Sequence, residues 1–173
     1  MSKYSKAYQE DHNIDWFAII DGRYYHFASG GTYLPDEVNN KEQNRKLQHF
    51  VAQKNIHRND IHNGVSINRN YFSDVHSIVQ NQFEGKINAE MGISLCSADA
   101  AHIGFYSYCY WGIDKWGGII YRLIASPAQN INPEFDEQLT VPELMCAHFM
   151  SPVLHLDEER TIPEFIRVYG FEM

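Results

Sequence analysis

Nine histidines, three cysteines and a serine followed by two glycines are the first residues of this 173-residue chain to consider for chemistry. A histidine-built metal site needs ligands that one element can aim together, such as H-E-x-x-H on a helix or a Cys/His cluster. Neither pattern occurs. His57 and His62 stand five apart, which would set them on different faces of a helix, and the segment between them reads as loop. No metal and no cofactor is expected. A thiolate nucleophile needs a helix N-terminus or a nearby cation. Cys109 instead sits among alternating aromatics, where burial would raise its pKa, and Cys96 lies beside the packing stripe of a helix. Ser29-Gly30-Gly31 lacks the G-x-S-x-G elbow and reads as the end of a strand. The phosphate-cradling glycine patterns of nucleotide sites are also missing. What remains for catalysis is a general acid–base pair, Asp15 with His26, the basis of an alternative reading as a small hydrolase or transferase. Both residues equally suit a strand start and a sheet face. If covered, Asp15 beside Trp16 needs a hydrogen-bond partner, for which a backbone amide or the Arg23 or Arg122 guanidinium would serve.

Recognition has better material. In FYSYCYW, residues 105–111, Tyr106, Tyr108 and Tyr110 share one side of an extended chain and Phe105, Cys109 and Trp111 the other. Together with Trp116, the residues Tyr106, Tyr108, Tyr110 and Trp111 form the candidate partner-binding set, since Tyr and Trp offer large contact area at low entropic cost. The competing reading is that a helix packs over that face. The acidic stretches EFDEQ (134–138) and LDEE (156–159) would rim an open face and steer a basic partner.

A formal net charge of −8 argues against general affinity for nucleic acid or an anionic membrane surface, because phosphate binding needs Lys and Arg in excess. Hydrophobic residues at 44% belong to a globular chain, and the length suits one domain that buries a core without disulfides. An odd number of cysteines with no C-x-x-C spacing fits free thiols in a reducing compartment. With no apolar leader segment and no run long enough to span a bilayer, a cytoplasmic protein is expected.

The elements that would carry these residues follow from pattern. Residues 1–13 read as a loose polar lead-in to a single domain over 14–173. In IDWFAIIDGRYYHFASGG the first strand is apolar on both sides, so it should be covered on both faces. Asp21-Gly22 supplies the positive φ angles of a two-residue hairpin turn. Asn40 opens a capping-box pattern, and Leu47, Phe50 and Val51 give that helix one apolar stripe ending near Lys54. Helical spacing recurs at Phe72, Val75, Val79 and Phe83, and again from Met91 through Leu95 and Ala98 to a stop at Gly104. Strands follow at 105–111 and 119–126. In the tail, Pro142 suits a short helix through Phe149 and Thr161–Glu164 the cap of another, while FIRVY reads equally as strand.

The Asp-Trp-Phe strand with its His-Phe-Ala-Ser-Gly-Gly ending, and the later GFYSYCYW leading to YRLIASPAQNI, resemble two blocks of a set of small, uncharacterised bacterial proteins. Cys109-Tyr110-Trp111 departs from the acidic residue expected after Tyr-Ser-Tyr in such proteins. The resemblance implies a toxin-immunity role and supplies no catalytic residue.

These readings converge on an α+β domain with a mainly antiparallel sheet and two or three helices packed on it. The leading expectation is a non-enzymatic protein-binding domain that neutralises a toxin, or another basic protein, by occlusion. The alternatives are the Asp15/His26 enzyme and a homo-oligomeric scaffold, such as a homodimer, that uses the tyrosine face as its interface.

Overall fold

The computed structural model describes residues 2–54, 64–74, 97–157 and 160–169. The opening stretch forms β1 (Asp15–Ile20) and β2 (Arg23–Ala28), paired antiparallel from Asp15–Ala28 to Ile20–Arg23. Asp21 at φ 49° and Gly22 at φ 75° make the turn, and two consecutive positive φ angles give it a twist that matches the right-handed twist of the flanking strands. Helix α1 (Lys6–Asp11) precedes this hairpin and α2 (Lys41–Gln53) follows it. Asn40 caps α2, its side chain accepting the Gln43 N–H at 3.1 Å, and Lys54 closes it. Then come β3 (Val65–Ile67), β4 (Tyr106–Ile113), β5 (Ile119–Pro127), β6 (Ala147–Asp157) and β7 (Arg160–Val168). Residues 69–74 and 97–102 are helical. The remainder of the two helices expected from Phe72 to Phe83 and from Met91 onward lies outside the described residues.

One sheet runs in the order β1-β2-β4-β5-β7-β6, with β3 also on β5. It is mixed. The β2–β4 joint is parallel, through Tyr25–Tyr106 to Ala28–Cys109, and the other pairings are antiparallel. The hairpins at either end set antiparallel neighbours by their short turns, but the long connection from β2 to β4 carries no such constraint. One edge of β5 is divided between two partners: β7 takes Ile119–Arg122 and β3 takes Ala125–Pro127. Asn68 fills the gap, its backbone N–H donating to Ile124 O at 2.8 Å and its side-chain amide to Leu123 O at 2.9 Å. Asn68 thus supplies the Leu123 and Ile124 carbonyls with donors at the changeover.

The sheet also curls. The Ile19 N–H donates to Pro142 O and the Leu144 N–H to Ile19 O, so the chain leading into β6 is drawn against the β1 edge. Phe149 of β6 then lies 6.1 Å from the Tyr25 ring of β2. Inside the curl are Trp16, Tyr25, Phe27, Tyr108, Tyr121, Leu123, Ile162 and Ile166, all fully buried. Outside it, α2 and the helical residues 97–102 cover Phe17 and Phe105 through Leu47, Val51 and Ala100. This explains why β1 is apolar on both sides: one side meets the interior of the curl and the other meets helices.

Two expectations about the tail are corrected. Pro142 does not open a helix; its carbonyl serves the β1 edge, and the chain beyond it is β6. Thr161–Glu164 is part of β7 rather than a cap. Pro163 is tolerated because β7 pairs with β5 only from Phe165 onward, so that ladder asks nothing of its missing N–H. The lead-in is not loose either. The Tyr4 N–H donates to Asn39 Oδ1 at 2.8 Å, and buried Gln9 takes the Leu34 N–H at 2.6 Å and donates to Tyr4 O. Among the described residues no helix is long and apolar enough to cross a membrane.

Candidate functional site

Strand pairing places His26 directly across from Ser107 at the parallel joint, with Asp15 one diagonal step away on β1. The His26 Nδ1 is 2.8 Å from Ser107 Oγ, and its Nε2 is 3.3 Å from Asp15 Oδ1. A carboxylate only accepts, so a hydrogen on Nε2 faces Asp15, and in that neutral tautomer Nδ1 accepts a hydrogen bond from the Ser107 hydroxyl. The partner of Asp15 is thus His26, not Arg23 or Arg122. In chemical order this is a serine–imidazole–carboxylate relay, and one imidazole ties β1, β2 and β4 together.

Access decides what the relay can do. Ser107 has 0% of its surface exposed, and the His26 side chain 4%, lying under the Phe17 ring at 5.1 Å. Only the Asp15 end, at 36%, meets solvent. A nucleophile must reach a carbonyl or phosphorus atom, and here the hydroxyl is the deepest member. Ser107→Ala should therefore cost about 1–2 kcal/mol by leaving a buried ring nitrogen unpaired. Thermal denaturation should show the lower Tm, and a serine-directed phosphonate should leave wild-type Ser107 unlabelled.

The five candidate aromatics do not form one surface. Tyr106 and Tyr108 point into the curl and are buried, and Tyr110 packs partly against the same core. The Tyr108 hydroxyl donates to Pro163 O at 2.6 Å. Burial pushes that phenol, and Tyr25 beside it, well above the ordinary tyrosine pKa. Trp111 lies on the opposite face, stacked on the Arg122 guanidinium at 4.5 Å. Trp116 stands apart on the β4–β5 turn with 67% of its surface exposed. The acidic segment 134–138 borders α2, where Phe135 stacks near Phe50 at 5.2 Å, and does not rim the tyrosines. The side chains of 156–159 lie outside the described residues.

Pattern reading missed the arginine cluster. Arg122 and Glu164 are each 6% exposed, and both Nε (2.8 Å) and Nη2 (2.6 Å) of Arg122 reach Glu164 Oε1. Its Nη1 meets Asp74 Oδ2 at 2.6 Å, and Phe165 lies against the guanidinium. Asn68 holds one N–H toward Glu164 and accepts from the backbone of Asn70 and Tyr71, starting the helical residues 69–74. Arg122 and Glu164 are enclosed while Asp74 lies at the exposed end, and the cluster joins a helix to the sheet. Cys109 lies in the same layer, and burial raises its thiol pKa against the opposing hydrogen bond with Tyr71. Among the described residues no group of three or more His, Cys, Asp or Glu could hold a metal ion.

The exposed feature with definite geometry is the turn after β4. Asp114 Oδ1 accepts the N–H groups of Trp116 (2.8 Å) and Gly118 (2.9 Å), and the Asp114 N–H donates to Gly118 O. Asp114 Oδ2 is 2.6 Å from Arg167 Nε. A Cβ at Gly118 would meet Arg167 Cγ and Asp114 Oδ2 at 3.0 Å, so glycine lets the two side chains close over it without displacement. Desolvation alone would raise the Asp114 carboxyl, but the two amides and the guanidinium outweigh it and hold it below the ordinary aspartate range. Arg167 lies 5.6 Å from the Trp116 ring and 5.6 Å from Tyr169, and Tyr169 lies 5.5 Å from His148. An aromatic–cation ladder thus runs from the turn across β7 to β6. No protein-family model, no curated protein and no solved structure matches this chain.

Proposed function

We propose that this chain is a non-enzymatic protein-binding domain that neutralises a basic toxin or effector protein by covering it. The observation that carries the reading is Trp116, a large aromatic held out to solvent on a turn pinned by four hydrogen bonds and an ion pair. Exposing an indole is unfavourable in water, and fixing it there removes the entropy that binding would otherwise cost. Ile113, 60% exposed, ends β4 where the same turn begins. The net charge of −8 supports a basic partner through steering of the encounter. Occlusion asks for a complementary surface and no reactive group, which agrees with a relay whose serine is sealed.

The Asp15–His26 contact at 3.3 Å is the observation that favours the enzyme reading, and its imidazole, 4% exposed, lacks a route to substrate. Hydrogen exchange with and without the product of the adjacent open reading frame tests the proposal. Protection of some contiguous surface is expected, together with survival of cells that express both proteins. Unchanged exchange everywhere, with continued killing, would remove it.

A further inference from the structure

The charges on the Trp116 turn oppose those of the body that carries it. Lys115 Nζ lies 4.3 Å from the Trp116 ring centroid and Arg167 Cζ 5.6 Å, so the indole is flanked by an ammonium and a guanidinium. Asp114 is the acid within the turn, and it is engaged by two amides and Arg167. The chain as a whole holds 22 acidic residues against 14 Lys and Arg. With Arg167 paired to Asp114, Lys115 supplies the turn's remaining positive charge on a chain of net charge −8, and the complement of that combination is a carboxylate site set in a basic surface. Proteins that process anionic substrates build that pattern, because the rim gathers the substrate while carboxylates within the cleft hold metal ions or shuttle protons.

We propose that the turn at residues 113–118, backed by Arg167 and Tyr169, is the element that enters the partner. The partner it fits is a basic protein whose cleft is lined by carboxylates, of the kind that acts on an anionic substrate. This inference rests on the binding reading above. Trp116 supplies the apolar anchor, Lys115 meets the carboxylates, and the acidic body meets the basic rim. Trp and Arg are the residue types that dominate interface energetics, and the pinned turn presents them without reorganisation.

The test measures affinity for the product of the adjacent open reading frame at low and high salt, for the wild type, Trp116→Ala and Lys115→Glu. Trp116→Ala should weaken binding about 30-fold or more, the loss expected of a buried anchor. Lys115→Glu should also weaken it, most strongly at low salt. Both variants should keep the wild-type Tm, because the two side chains are exposed. Wild-type affinity in both variants would overturn this inference and leave the binding reading standing. Tighter binding by Lys115→Glu would mean a basic cleft and would also overturn it. A homodimer of this chain dissociated by Trp116→Ala would reassign the turn to self-contact. Absence of binding by the wild type would overturn the binding reading, and this inference with it.

Discussion

Glu164→Leu should lower the unfolding free energy by about 3 kcal/mol, within the range for breaking a buried ion pair from one side. The loss comes from what remains. Among the described residues Arg122, 6% exposed, would keep Asp74 as its acidic partner, whose side chain is 54% exposed and so offers a screened charge. The Nε and Nη2 groups that now share Glu164 Oε1 would be left in a layer of Trp111, Tyr71 and Phe165. The double variant Arg122→Met/Glu164→Leu should lose less than Glu164→Leu alone, because no buried charge is left without its partner and Asp74 is exposed to water. Chemical denaturation of the four species of the cycle measures this. Equal losses in the single and double variants would mean that the pair is not coupled as its geometry requires.

Tyr108→Ala should cost about 3–5 kcal/mol, the scale for deleting a large aromatic from a close-packed core. Its ring touches Tyr25 at 5.8 Å and Phe27 at 5.7 Å between centroids, and none of it is exposed. Tyr108→Phe keeps the ring and should cost only about 1 kcal/mol, from the lost bond to Pro163 O. The ordering of the two variants in urea separates an interior tyrosine from a contact tyrosine, which would change binding and leave stability alone. A substitution here cannot serve as a probe of partner contact, since it acts on the fold first. Trp116 is the aromatic of the candidate set whose removal isolates recognition from stability.

Much of the local structure was readable because it depends on neighbours in the chain. Alternation placed Tyr108 and Tyr110 on one side of β4 and Cys109 and Trp111 on the other, and the hydrophobic clusters respect that division. Asp21-Gly22 identified the hairpin and Asn40 the start of α2. Alternation says which residues share a face and nothing about where the face points. The tyrosine side therefore read as a candidate surface until the curl of the sheet turned it inward. The tail misled for a related reason: proline-led patterns suggest helix starts locally, but Pro142 and Pro163 are placed by partners on β1 and β4.

The candidate sites divide the same way. The Trp116 turn is made within five residues, Asp114 to Gly118, and its exposure follows from a tip too short to fold back on the sheet. The His26–Ser107 contact spans 81 positions and the Arg122–Glu164 pair 42, so no spacing announces either. The amino-acid sequence by itself determined the hairpins, the capped helix and the two-sidedness of each strand, because those arise from φ/ψ preference and side-chain period over a few residues. Only the tertiary structure decided the parallel joint, the curl, the sealing of the relay and the inward turn of Tyr106 and Tyr108. Each of those depends on how distant strands meet, and burial is a property of the assembled sheet rather than of any segment within it.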